Sequence, residues 1–123
     1  MRYAIFDIDG TISQAGQPIS SSIAEALLML REHCQVVFAS ARPVRDMLPL
    51  LPEALHDAVM VGCNGGMAWQ CGEFMINEKF DADCATQILG WLDKAQAAYV
   101  VESHWQYGFS PVSHDFHDYV RSL

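Results

Sequence analysis

Tyr3-Ala4-Ile5-Phe6-Asp7-Ile8-Asp9-Gly10-Thr11 is the stretch from which the rest of the chain can be read. Its apolar run predicts a strand, and two carboxylates followed by a glycine predict where that strand stops. Open α/β sheets gather ligands outside the carboxyl ends of their strands, so acids at this point stand at the address of a functional site. Residues two apart on extended chain point the same way, which lets Asp7 and Asp9 face one substrate while Ile8 enters the core. Gly10 allows a sharp turn, and Thr11 offers a hydroxyl and an amide to an anion.

Around this stretch lie 123 residues, 51% of them hydrophobic, with three Trp, six Phe and six Met: one ordinary domain's worth of sequence with material for a core. A formal net charge of -8 argues against nucleic acid and anionic membrane as bulk partners, because both require a basic surface. No apolar stretch approaches the ~20 residues of a membrane span, and a strand stands where a secretory signal would, so a cytoplasmic location is expected. Cys34, Cys63, Cys71 and Cys84 form no CxxC pair and are expected as reduced thiols acting as small buried hydrophobes. His114 and His117 have the spacing of one helical face, yet two ligands do not make a zinc site. Their segment, His114-Asp115-Phe116-His117-Asp118, is expected to be a solvated acidic surface.

Further along, Ser22 and Glu25 predict a capping box for a helix running to about Glu32, with Ile23, Leu27 and Leu30 on its apolar face. Val36-Val37-Phe38-Ala39 is a wholly apolar run of the kind buried on both faces of a parallel sheet, and it ends at Ser40-Ala41-Arg42-Pro43. Strand, helix and strand make one crossover, so the Ser40 loop opens on the same sheet edge as Asp7. Pro43 suits the first turn of a helix from Val44 to about Leu51, and a third strand, Ala58-Val59-Met60-Val61, leads into Gly62-Cys63-Asn64-Gly65-Gly66. Beyond it Met67-Ala68-Trp69 and Glu73-Phe74-Met75-Ile76 flank a Gln70-Cys71-Gly72 turn, a hairpin signal. Asp81 or Asp83 then caps a helix with Ala85, Ile88, Leu89, Leu92 and Ala95 at helical spacing, and strands are expected over Tyr99–Glu102 and Gln106–Phe109. The change of pattern places a domain boundary near Gly65, giving parts 1–64 and 65–123.

Phe6-Asp7-Ile8-Asp9-Gly10-Thr11 resembles the first motif, DxDGT, of the haloacid dehalogenase (HAD)-like hydrolases, and the resemblance points to the Cof-like, type IIB branch. It implies a Rossmann-like parallel-sheet core in residues 1–64, followed by the start of an α/β cap of the C2 type in 65–123. It also implies a magnesium-dependent phosphatase in which Asp7 is the nucleophile and Asp9 the general acid/base. Ser40 matches the second motif, a hydroxyl residue ending the second strand. The loop reads Ala39-Ser40-Ala41-Arg42 where the branch usually reads Ala-Thr-Gly-Arg: the hydroxyl is kept, while Ala41 would resist a positive φ. Arg42 either contacts substrate or pins the loop, and Asn64-Gly65-Gly66 resembles the branch's Asn-Gly-Ala segment. By resemblance, Gly10, Thr11, Ser40, Ala41, Arg42 and Asn64 are the expected phosphate-binding residues, and Asp7 with Asp9, the latter through its carbonyl, the expected Mg2+ ligands.

The family's third motif, a charge-neutralising Lys or Arg, and its fourth, a paired-acid Gly-Asp-x-x-Asn-Asp segment, have no counterpart here; Lys79 and Lys94 are the only lysines and fall after residue 64. The chain is therefore expected to be an N-terminal portion of a longer hydrolase acting on a small phosphorylated metabolite, such as a sugar phosphate. Alone it is expected to be inactive and to associate, through an exposed sheet edge, with itself or with a missing C-terminal half. The alternatives are a phosphotransferase or phosphomutase of the same fold and a non-catalytic interaction or regulatory fragment.

Overall fold

The computed structural model describes residues 1–123, which divide into two compact units, Met1–Asn77 and Glu78–Leu123. In the first unit, β1 (Tyr3–Asp7) runs parallel to β2 (Gln35–Ala39) over its whole length, from Tyr3 opposite Gln35 to Asp7 opposite Ala39. β2 in turn runs parallel to β3 (Val59–Gly62). The sheet then changes sense, because β4 (Met67–Gln70) returns antiparallel on β3 and β5 (Glu73–Asn77) antiparallel on β4. The result is one mixed five-stranded sheet in the order β1-β2-β3-β4-β5, with a parallel half that carries the expected α/β pattern.

The β4–β5 turn is built on Cys71 (φ 50°) and Gly72 (φ 89°), since a two-residue hairpin whose twist matches its strands requires positive φ at both central residues. Cys71 is thereby exposed and Cys34, Cys63 and Cys84 are half-buried, so the thiols are free but are not the buried hydrophobes expected. The hairpin hydrogen-bonds to β3, and by packing residues 67–77 belong with the first unit.

Between β1 and β2, α1 (Ser21–Arg31) starts two residues earlier than the capping-box reading, because Ser20 is the residue with extended backbone and its Oγ accepts from the Ile23 N–H. Leu27 is buried and Ile23 and Leu30 half-buried, the expected face. The helix after Pro43 is shorter than expected: α2 covers Val44–Met47, and Leu48–Leu50 tightens into a 3-10 turn. Pro49 has no N–H to give the Arg45 carbonyl, so the α pattern cannot continue. The core gathers where β2, β3 and this helical segment meet, with Phe38, Met47, Leu50, Leu55, Met60 and Val44 buried together with Ile8.

In the second unit, Asp81 caps α3 (Ala82–Lys94) by accepting from the Cys84 N–H at 2.8 Å, and Ala85, Ile88, Leu89 and Leu92 form its half-buried face. β6 (Val100–Glu102) and β7 (Tyr107–Phe109) pair antiparallel close to the expected spans. In the His114–Asp118 segment, His114, Asp115, Phe116 and Asp118 are exposed, as expected of a solvated surface, and His117 alone departs from it. The segment enters α4 (Asp115–Ser122), in which His117 is buried, stacks on Phe109 at 4.5 Å and hydrogen-bonds the Tyr99 carbonyl through Nε2 at 3.1 Å. One histidine nitrogen with a carbonyl partner and a flat aromatic neighbour make it a core residue. No helix is long and apolar enough to cross a membrane.

Candidate active site

The register of β1 and β2 builds the site. Asp7 and Ala39 are paired across the two strands, so the loops that follow them leave the sheet side by side. After Asp7 the chain closes around buried Ile8, whose carbonyl accepts from the N–H groups of Thr11, Ile12 and Ser13. Gly10, at φ 75°, makes that turn possible and donates its own N–H to the Ser13 carbonyl at 2.8 Å. Asp7 is exposed, and the Thr11 hydroxyl donates to its Oδ2 at 2.8 Å, which orients the carboxylate.

Asp9 faces the second loop. Arg42 Nε donates to its Oδ2 and Arg42 Nη2 to its Oδ1, each at 2.7 Å, a planar two-point pair. The hydrogen bond from Arg42 and, after an opposing desolvation, its charge hold the Asp9 carboxyl below the usual carboxylate range. The Asp9 side chain remains 44% exposed while that of Arg42 is 14% exposed, so the cation lies behind the acid.

Ser40 is buried, and its Oγ accepts from the Arg42 N–H at 3.1 Å, which keeps the hydroxyl hydrogen available to a ligand. Ala41 is exposed and is not among the residues with positive φ, so the substitution of Ala for Gly in this loop brings no backbone strain. Asn64 joins the group through its backbone, donating its N–H to the Ser40 carbonyl at 3.2 Å, with its own φ at 53°. The structure thus brings Asp7, Asp9, Gly10, Thr11, Ser40, Ala41, Arg42 and Asn64 to one edge of the sheet.

Three residues in this region escaped the sequence reading. Gly62 is buried so tightly that a Cβ there would lie 2.8 Å from the Arg42 carbonyl; the glycine cluster at 62–66 was the available signal. Arg45 and Asp46 form a largely buried pair at 2.6 Å directly after the second loop, which adjacency in sequence does not announce. A separate cavity of about 520 Å³ is lined by Arg2, Arg31, Gln35, Asp57 and Cys71 among others; it lies at the starts of the parallel strands, away from the site residues.

Magnesium wants about six oxygens in near-ideal geometry, whereas the chain offers the Asp7 carboxylate, with one oxygen engaged by Thr11, and the Asp9 carbonyl, the Asp9 carboxylate oxygens both being held by Arg42; no group of three or more His, Cys, Asp or Glu residues is placed to hold a metal. The residues of this chain alone do not fit a magnesium site.

The haloacid dehalogenase-like hydrolase pattern matches residues 4–118. Among solved structures, a Streptococcus mutans protein aligns with a TM-score of 0.83 at 18% identity, covering 98% of this chain and 47% of that one. A haloacid dehalogenase-like hydrolase from B. subtilis aligns with a TM-score of 0.79 at 23% identity, covering 97% and 42%. The HAD subclass IIB sugar phosphatase BT4131 aligns with a TM-score of 0.77 at 17% identity, covering 98% and 48%. At these identities the likeness carries the fold, and the chain spans a little under half the length of the structures it matches. A search of curated proteins found no match.

Proposed function

The chain belongs to the haloacid dehalogenase-like hydrolases, and from that premise we propose that it carries the nucleophile and the acid/base of a phosphatase for a small phosphorylated metabolite, with a sugar phosphate the first class to try. The observation that supports this most is Asp7: an exposed carboxylate at the end of β1, hydrogen-bonded by Thr11 through Oδ2, on a strand whose last residue is paired with Ala39 beside Ser40.

In this reading Asp7 Oδ1 attacks phosphorus, the bond from phosphorus to the leaving oxygen breaks, and Asp9 gives that oxygen a proton. Water then attacks the aspartyl-phosphate, Asp9 takes its proton, and the Asp7–phosphorus bond breaks to release phosphate. The Arg42 pair favours the Asp9 carboxylate, the form needed for the second half, so the proton that Asp9 gives in the first half is one it has first taken up from solvent, and the water's proton restores it at the end of the cycle. The Ser40 hydroxyl, the Ala41 N–H and the Asn64 side-chain amide are the donors proposed for the phosphoryl oxygens, while Gly10 and Thr11, whose N–H groups are engaged within their own loop, shape the phosphate seat. Family members are typically magnesium-dependent, the ion supplying charge neutralisation at phosphorus. The share of such a site that this chain would provide is the Asp7 carboxylate and the Asp9 carbonyl.

By role, residues 1–64 are the core portion and 65–123 the start of a cap, a division distinct from the packing boundary after Asn77. With a net charge of -8, and with Arg42 and Arg45 both paired to acids, the chain on its own has little to offset a phosphate dianion. That favours a second reading in which the isolated chain is non-catalytic and works only with further polypeptide, for which the free edge of β1 is the natural attachment. Neither nucleic acid nor membrane is part of the proposal, and the compartment proposed is the cytoplasm.

A phosphatase assay with Mg2+ over a panel of sugar phosphates, run on this chain and on any longer protein that contains it, tests the reading. Turnover should be found in the longer form and abolished by Asp7→Asn, since an amide cannot be phosphorylated in place of a carboxylate. Full turnover by Asp7→Asn would overturn the nucleophile, and negligible turnover in both forms would select the non-catalytic reading.

A further inference from the structure

Resting on the reading of Asp9 as acid/base, we infer that Arg42 is its positioning residue, a side chain that aims Asp9 from behind rather than a ligand of the substrate phosphate. Arg42 is tied into three loops at once. Its N–H is bonded to Ser40 Oγ at 3.1 Å in the β2 loop, its carbonyl accepts from the Cys63 N–H at 2.9 Å in the β3 loop, and its guanidinium takes both oxygens of Asp9 in the β1 loop at 2.7 Å.

Each attachment has a local cause. The Ser40 bond needs a hydroxyl at that position, which the sequence retains. The Cys63 bond needs the β3 strand to come within contact of the Arg42 carbonyl, and Gly62 permits this, since a Cβ there would stand 2.8 Å from that oxygen and 3.1 Å from the Val44 nitrogen. Cys63 and Asn64 adopt φ of 50° and 53° to carry their N–H groups to Arg42 and Ser40, a conformation that costs a non-glycine residue on the order of 1 kcal/mol. With its backbone fixed at both ends, Arg42 presents a rigid fork matched to a carboxylate.

The geometry also explains how Asp9 stays usable. A carboxylate oxygen has two acceptor directions, and the fork occupies one on each. Because Arg42 is the more buried partner and the Asp9 side chain is 44% exposed, the remaining directions on Asp9 are left to solvent. A phosphate ligand would need the opposite arrangement, with the guanidinium outermost.

The test needs no turnover, so it stands or falls separately from the phosphatase reading. Arginine Nε–H cross-peaks of the 123-residue chain are recorded by proton–nitrogen correlation at neutral pH, and Arg42→Lys identifies the Arg42 peak by its loss. The expected result is a slowly exchanging Arg42 peak displaced from that of exposed Arg2, moved toward the Arg2 position by Asp9→Asn and left in place by inorganic phosphate. An Arg42 peak lost to solvent exchange in the parent chain, one unmoved by Asp9→Asn, or one shifted by phosphate would each overturn the assignment.

Discussion

Ile5 and Val37 are register partners on adjacent parallel strands, yet Ile5 is 67% exposed and Val37 only 9%. Both strands are five residues long and largely apolar, so composition does not separate them. Position in the sheet does. β2 has a strand on each side and buries Val36, Val37 and Phe38, whereas β1 is a terminal strand with Tyr3 and Ile5 open on one face and Ala4 and Phe6 only half covered on the other. The site straddles this difference: its nucleophile candidate hangs from the open strand, and the Ser40–Arg42 loop hangs from the buried one.

If β2 is the mechanical anchor of the site, its centre should be the least forgiving place in the first unit. Phe38 is fully buried, and Phe38→Ala should cost about 3–5 kcal/mol from lost contacts and the cavity left behind, read as a large fall in the urea midpoint. A loss below about 1 kcal/mol would mean that β2 is no better packed than β1 and would remove the contrast.

A smaller effect should come from the clamp that joins the two loops. The folded Asp9 carboxyl lies below its unfolded value near 4, so the pair adds stability above that pH and loses it as pH falls through the lower folded value. Asp9 is 44% exposed, which limits the gain at neutral pH to about 1 kcal/mol or less. Arg42→Ala should therefore lower the urea midpoint modestly at pH 6, and the gap between the two proteins should close as the pH falls through the lowered folded value. A gap that stays constant or widens on acidification would show that Arg42 stabilises the loops without Asp9.

The smallest effect on stability belongs to Ile5. Ile5→Lys should change the unfolding free energy by no more than about 0.5 kcal/mol, because most of the side chain is already in water. The same change should reduce self-association measured by light scattering, since a charge on a terminal strand blocks edge pairing. An unchanged scattering profile, or a parent chain that is monomeric throughout, would show that the β1 edge is harmless despite its exposure.

The first loop could be read almost whole from the amino-acid order, because its determinants are local: an apolar run, two acids, a glycine at positive φ and a hydroxyl four residues after Asp7. The same holds for the β4–β5 hairpin and for the half-buried face of α3, where turn chemistry and periodicity act over a few residues. Errors came where the deciding partner is distant or the competing signal subtle. His117 reads as a surface residue beside acids, and only Tyr99 and Phe109 make it core. Ser20 displaced Ser22 as cap because the backbone there is extended, a choice that neighbouring serines leave open.

The sequence by itself determined the family, the strand that ends at Asp7 and the residue types offered to a phosphoryl group, since each follows from short-range pattern and side-chain chemistry. Only the tertiary structure decided that β1 is terminal and open, that Gly62 gives Arg42 its seat, and that Arg42 grips Asp9 across the gap between two loops. Those facts depend on which backbones come to lie side by side. A guanidinium and a carboxylate 33 residues apart become partners only when a parallel register sets their loops at the same edge.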